Sequence, residues 1–405
     1  MGRGVKGLFA GRLPHRPRSR SLCIMRYLLL CLLLITSACM RPEARVRVAF
    51  DATRITSVSA SGLADRATKR RVTADDPVRV ASVSKLVVAL GIMRLVDAGR
   101  LDLDRDASDY LGWQLRNPEF PDDPISLRML LSHTAGVRDG NDYRVPLSKT
   151  VPAALADPKA WDARYSPATY FTYSNLNYPI IGSIMEKVTG ERFDALMQRL
   201  VLKPLGVEAC FNWPTCSDVR VARAVVLYHV DGTVRNDDLK GKPPPCPVFT
   251  DSPGCDLSGY RPGDNGALFS PQGGLRISAR DLAKVGQMLL RDGKGFLSPA
   301  AMAELTKPVW TYNDGNGDSE GGFYCSYGLA VQQLATQPAT CNDDMFGDGK
   351  RRIGHAGEAY GLRSGLWIDP VRGTGVAFFA TAVPDEAPKG RSAYTAVEEQ
   401  LARGK

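Results

Sequence analysis

Residues 86–96, LVVALGIMRLV, leave little choice of fold. The run is apolar on nearly every helical face. The helix it predicts, from about Ser82 to Ala98 and stopped at Gly99, must therefore lie in the middle of the protein, covered on all sides. Yet that helix opens with Ser82 and, three residues later, Lys85. Positions i and i+3 share a face, so a hydroxyl and an ammonium enter the interior together. A serine at a helix N-terminus sits at the positive end of the helix dipole, near backbone N–H groups that can hold an oxyanion. A buried lysine has its pKa lowered toward a neutral amine that can take the hydroxyl proton. One Ser-x-x-Lys is expected by chance about once in a chain of this length, so the pair by itself reads more readily as a capping serine beside a surface lysine.

The segments around this helix form an ordered series. VRVAFD (46–51) and ITSVSASG (55–62) read as two short strands joined by a turn. Helical spacing follows in SLRMLLSHTAG (126–136), NLNYPIIGSIMEKVTG (175–190) and FDALMQRLVLKPLG (193–206). Residues 207–265 are rich in Pro and Gly and hold four cysteines, which predicts a long cross-linked insertion or lid. Ser278 is a candidate N-cap, with Asp281 three residues on. YGLAVQQL (327–334), LRSGLWID (362–369) and GTGVAFFATAV (373–383) read as strands, and 391–405 as a closing helix. Strands, helices, then strands and a helix predict an α/β (α+β) protein whose sheet is assembled from both ends of the chain. The expected organisation is one two-lobed domain over 39–405. Its sheet lobe would take about 45–99 and 266–405, and its mainly helical lobe about 100–265.

The formal charge of +9 is concentrated at the start: residues 1–38 hold seven basic residues and no acidic one. The remainder is near neutral, which argues against nucleic acid as a partner. MRYLLLCLLLITSAC (25–39) has a positive start, an apolar core too short to span a bilayer and a small-residue exit, as a secretory signal peptide does. Met25 is the more natural start for it than Met1. Cleavage after Ala38 and lipidation at Cys39 both suit the exit. Export, to a bacterial periplasm or a lipid anchor facing it, is the expected localisation, with membrane contact only through the leader or the lipid. Six cysteines remain after Cys39, an even number that suits an oxidising compartment. Of fifteen connectivities the sequence-local one pairs Cys210 with Cys216, Cys246 with Cys255 and Cys325 with Cys341. No CxxC or HExxH occurs, so no metal or other cofactor is expected. YNDGNGDSE (312–320) departs from a calcium loop at Ser319 and Cys325 and reads as a polar surface loop.

Two further stretches give the Ser-Lys pair its company. YFTYSNLNY (170–178) contains Tyr173-Ser174-Asn175, and IGHAGEAYG (353–361) contains His355-Ala356-Gly357 just before the last strands. With RVASVSK (79–85), LVDAGRLDLD (95–104), LLSHTAGV (130–137), SPQGGLRISARDLA (270–283) and GHAGEAYGLRSGLWIDP (354–370), the chain resembles the serine β-lactamase and penicillin-binding protein superfamily. The likeness is to the branch of class C β-lactamases, DD-peptidases and related esterases, and it runs from about residue 45 to 400. It implies an antiparallel sheet flanked by helices with an inserted helical lobe. It further implies that Ser82 is the acylated nucleophile, Lys85 assists its deprotonation and Tyr173 is the general base, as phenol or tyrosinate. Asn175 would bind the acyl side, the N–H groups of Ser82 and Glu358 would form the oxyanion hole beside Gly357, and His355 would assist proton transfer or steer a substrate carboxylate. His133 is assigned to structure.

The third stretch departs from the pattern in two ways. Ala356 stands where a hydroxyl residue commonly binds a β-lactam carboxylate, a donor worth ~1–3 kcal/mol when the carboxylate is buried. Glu358 adds an acid that would repel an anionic substrate unless Arg363 compensates. An exported serine hydrolase acting on a small ester or a D-amino-acid peptide or amide is therefore ranked above a class C-like β-lactamase. A catalytically silent penicillin-binding or cell-wall-associated protein is the non-enzymatic alternative. The substrate is a small molecule or peptide, and a monomer is expected.

Overall fold

A computed structural model describes residues 44–140, 142–336 and 340–404. The leader 1–38 and Cys39 lie outside the described residues. The main sheet is built from β1 (Ala44–Asp51), β2 (Ile55–Asp65), β3 (Arg70–Arg71), β4 (Trp310–Thr311), β5 (Ser326–Tyr327), β6 (Gln332–Leu334), β7 (Arg352–Ala359), β8 (Leu362–Asp369) and β9 (Thr374–Ala380). Their spatial order is β3-β2-β1-β9-β8-β7-β6-β5-β4. Every pairing is antiparallel, with Val46 opposite Phe379 and His355 opposite Leu366. The N-terminal hairpin thus docks on the C-terminal strands, as expected for a sheet assembled from both chain ends.

The alternation in β1 shows why the sheet is covered on both faces. Ala44, Val46, Val48 and Phe50 are buried on one side. There the helix α3 (Ala279–Leu290) lies so close that a Cβ on its Gly286 would meet the Phe50 ring at 2.2 Å. Arg45 and Arg47 point the other way and bond Gln400 and the Leu401 carbonyl of α5 (Ala396–Arg403) at 2.8 and 2.7 Å. α1 (Val83–Asp97) runs through the core with twelve buried residues, as its apolar perimeter requires. α2 (Asn177–Thr189) and α4 (Pro299–Thr306) complete the described helices of eight or more residues.

Several elements are shorter than the sequence suggests. Within 100–265 only α2 is longer than five residues among the described helices, so this lobe is less helical than expected. The helix expected over 126–136 is Leu127–Leu131, because His133 and Gly136 take φ of +59° and +72°. The run 193–206 holds five α-helical residues and then a π turn, Gln198–Leu202. The strand expected over 327–334 breaks between β5 and β6, where Ala330 has φ +57° and donates its N–H to the Leu131 carbonyl. The last helix starts at Ala396, fixed by a reciprocal Thr395–Glu398 capping box. Three disulfides join Cys210 to Cys216, Cys246 to Cys255 and Cys325 to Cys341.

Candidate active site

Ser82 stands at the entrance to α1, and its position is fixed from three sides. The short strand Val78–Arg79 pairs with Leu275–Ile277. Ala81 then takes a left-handed φ of +46°, a strained turn for a residue with a Cβ. Ser84 Oγ donates to the Ala81 carbonyl (2.6 Å) and accepts the Leu275 N–H (3.1 Å), while Ser364 Oγ donates to the Val80 carbonyl (2.9 Å). The N–H groups of Val83, Ser84 and Lys85 are used within this turn, bonding the carbonyls of Val80, Ala81 and Ser82. The helix start therefore does not offer a row of free donors, which corrects the expectation that several N–H groups there await an oxyanion. The Ser82 N–H makes no backbone bond among the described residues.

The edge of β7 runs beside this turn. β6 pairs with β7 only as far as Gly354, so residues 355–359 form an open edge. That edge passes the Ser82 turn at close range: a Cβ on Gly357 would stand 2.3 Å from the Val80 carbonyl oxygen and 3.3 Å from Ser82 N. Only glycine allows this approach.

Lys85 is fully buried. Its Nζ lies 3.0 Å from Ser82 Oγ, 2.7 Å from Asn175 Oδ1 and 2.9 Å from the Gln272 carbonyl oxygen. Burial lowers its pKa to about 7, against a smaller upward pull from Asp139. As an ammonium it has three hydrogens for three acceptors. As an amine it keeps two for the carbonyls and turns its lone pair to the serine hydroxyl. A proton can thus pass between Ser82 and Lys85 with no heavy atom moving, and near neutral pH both forms are populated.

Asn175 faces this way because of Asp139, which the sequence reading missed. The Asp139 carboxylate accepts from Ser174 Oγ, Asn175 N, Asn175 Nδ2 and Leu176 N at 2.8–2.9 Å. With Nδ2 so held, Oδ1 turns to Lys85. Asp139 lies two residues beyond the LLSHTAGV phrase, where its distance in sequence from Tyr173 hid it.

The Tyr173 ring stacks between His133 (4.4 Å between centroids) and Tyr324 (4.8 Å), and Lys85 Nζ lies 4.9 Å from its centroid. Its phenol is buried and makes no hydrogen bond among the described residues. Burial raises its pKa well above the usual range, and the nearby hydroxyls of Ser82 and Tyr324 only partly offset this. Burial thus favours the neutral phenol over the tyrosinate. His133 accepts the Ser174 N–H at Nδ1 (3.1 Å) and holds the tyrosine segment in place, as its structural assignment expects.

His355 is buried and is not among the residues that line the cavity over Ser82. It is buried behind Tyr173 with Nε2 2.7 Å from Tyr327 Oη and Nδ1 2.5 Å from the Ala356 carbonyl oxygen. Burial and the Lys85 charge push its pKa down to about 3, so it is neutral and cannot steer a carboxylate as a cation. Glu358 is exposed and ion-paired with Arg363 across the β7–β8 register, so its repulsion of anions is largely cancelled. The cavity over Ser82 has a volume of about 900 Å³, and Tyr173, Asn175, Gln272, Gly357 and Glu358 are among its walls. Of the six residues expected to act with Ser82, Lys85 bonds it, Tyr173, Asn175 and Gly357 line the same cavity, the Glu358 side chain lies on the wall and His355 is buried.

A family model described as Beta-lactamase matches residues 42–400. Penicillin-binding protein 4 of Amycolatopsis lactamdurans is 28% identical over 236 residues, 58% of this chain and 56% of that protein. Esterase EstB of Burkholderia gladioli is 30% identical over 170 residues, 37% of this chain and 42% of that protein. The chain thus spans about half the length of these curated relatives. Among solved structures, EstCE1, a hydrolase with promiscuous acyltransferase activity, superposes with a TM-score of 0.65 at 22% identity, covering 94% of this chain and 98% of that one. The octameric penicillin-binding protein homologue from Pyrococcus abyssi gives 0.64 at 20% identity, covering 93% and 76%. At these identities the likeness is one of fold.

Proposed function

The chain belongs to the Beta-lactamase family, and from that premise we propose that it is an exported serine hydrolase, working through an acyl-enzyme on Ser82 and cleaving a small ester or a D-amino-acid amide or peptide. One observation carries the reading: Lys85, with a pKa near neutrality, touches Ser82 Oγ and two carbonyl oxygens and, among the described residues, no other hydrogen-bonding group. Neutral Lys85 takes the Ser82 proton as Oγ bonds the substrate carbonyl carbon. The oxyanion is held by the N–H groups of Ser82 and Glu358. As the carbonyl reforms and the ester or amide bond breaks, the Lys85 ammonium gives that proton to the departing oxygen or nitrogen, beside the Tyr173 phenol on the cavity wall. Water then attacks the acyl carbon and gives its proton to Lys85, which returns it to Ser82 Oγ as that bond breaks.

Ala356 supplies no hydroxyl, and Arg363 is committed to Glu358 and the Asp385 carbonyl, so the β7 face is poor in donors for a β-lactam carboxylate. The relative named an esterase supports the ester reading. Three disulfides favour an exported protein. The test is intact mass spectrometry of a quenched reaction with p-nitrophenyl acetate. Wild type should carry one acetyl group and Ser82→Ala none. An Ser82→Ala protein that hydrolyses the ester at the wild-type rate refutes the assignment.

A further inference from the structure

The arginines on the cavity wall differ in one respect. Arg144 is paired with Asp142 (2.7 Å), Arg235 with Asp385 (3.1 Å) and Arg363 with Glu358. Arg79, three residues before the nucleophile, has no carboxylate within ion-pair distance among the described residues. Its NH1 donates to the Gly273 carbonyl (2.8 Å), its Nε is buried without a partner and its guanidinium lies 5.1 Å from the centroid of the Tyr360 ring. Behind it stands Arg276, which has already taken Asp237 (2.9 Å), and the same Asp237 oxygen also accepts the Trp213 indole N–H (3.0 Å). Asp237 therefore pairs directly with Arg276 and not with Arg79. The guanidinium left over is partly buried on the wall of the cavity that holds Ser82, with Tyr143, Ser270 and Tyr360 nearby.

A half-desolvated cation without a counter-ion is costly unless something supplies the missing charge. Its Gly273 bond continues into the segment that supports catalysis, since the adjacent Gln272 carbonyl accepts from Lys85. Resting on the serine-hydrolase reading, we propose that Arg79 is the anion-recognition residue of this cavity and that the natural substrate carries a carboxylate which pairs with it. A carboxylate matches the planar fork of a guanidinium and would gain charge-assisted hydrogen bonds there. The substrate class narrows to esters or amides with an anionic group within a few bonds of the scissile carbonyl.

The experiment compares kcat/KM for matched esters on the full chain. Mono-p-nitrophenyl glutarate against p-nitrophenyl butyrate places the carboxylate on the acyl side. 4-Acetoxybenzoate against phenyl acetate places it on the leaving side. Wild type should prefer the anionic ester in one pair. In Arg79→Gln that preference ratio should fall roughly 10- to 100-fold, mostly through KM, with Arg79→Lys in between. If Arg79 only braces the Gly273 loop, both esters of a pair will slow together and the ratio will stay where it was, which overturns the proposal. So does a wild type with no anionic preference in either pair. Failure to cleave any of the four esters would instead count against the hydrolase reading itself.

Discussion

Lys85 is held in a position that a fold would not choose for stability alone. Its ammonium is desolvated and no carboxylate touches it among the described residues, so the neutral form is favoured down to pH about 7. Replacing it by methionine, of similar length, removes the proton acceptor and the buried charge together. Lys85→Met should lower kcat by about 10²- to 10⁴-fold with a melting temperature no lower than wild type. In the wild type kcat/KM should rise with pH through about 7 as the amine is freed. Asp139 gives a second test. Its charge raises the Lys85 pKa, so Asp139→Asn should move the acid limb of that profile to lower pH. It should also cost roughly tenfold in kcat by loosening Asn175. An acid limb that stays in place would remove Asp139 from the site's electrostatics. The two residues also differ in how readable they were. Ser82 and Lys85 are tied by helical spacing, which a sequence displays directly. Asp139 reaches Ser174, Asn175 and Leu176 across 35–37 positions from a loop with no period, and only the folded chain brings them together.

Among the elements, those with a strong period were legible and those set by tertiary contact were not. α1 and α2 follow from apolar or helical spacing, and β1, β8 and β9 from short strand-like runs bounded by turn residues. The break between β5 and β6 does not: it depends on Ala330 bonding Leu131, nearly two hundred positions earlier. The closing helix was drawn too long because the Thr395–Glu398 box, which sets its start, lies inside a run that reads as helical throughout. The β7 edge has the most direct catalytic consequence. An alanine at 357 would place its Cβ 2.3 Å from a backbone oxygen that cannot move aside. The edge would have to retreat from Ser82, taking the Glu358 N–H with it. Gly357→Ala should therefore lower kcat on the order of 10²-fold while circular dichroism shows the sheet intact. Full activity in that variant would mean that the oxyanion is held elsewhere.

At the scale of the whole molecule, the site lies between a sheet made from both chain ends and a wall contributed by the inserted residues, and Glu186 helps fasten that wall. From α2 it accepts the N–H of Phe193 (2.7 Å) and of Gly263 (2.8 Å) and the Tyr260 hydroxyl. Beside it the chain crosses α2 without side chains between, since a Cβ on Gly266 would meet Ser183 N at 2.1 Å. Burial raises the Glu186 pKa from 4.5 to about 7, only partly opposed by those three hydrogen bonds. The folded protein then holds a proton that the unfolded chain releases between pH 4.5 and 7, so this group makes stability fall as pH rises through that window. Asp343, raised to about 6 by burial, acts in the same sense, while Lys85 acts oppositely above pH 7. The difference between wild type and Glu186→Gln isolates the one group. Urea unfolding at several pH values should show a shallower decline in the variant between pH 5 and 7, by on the order of 1–3 kcal/mol across the window. Parallel curves would mean that Glu186 is already ionised at pH 5 and that its three donors outweigh its burial.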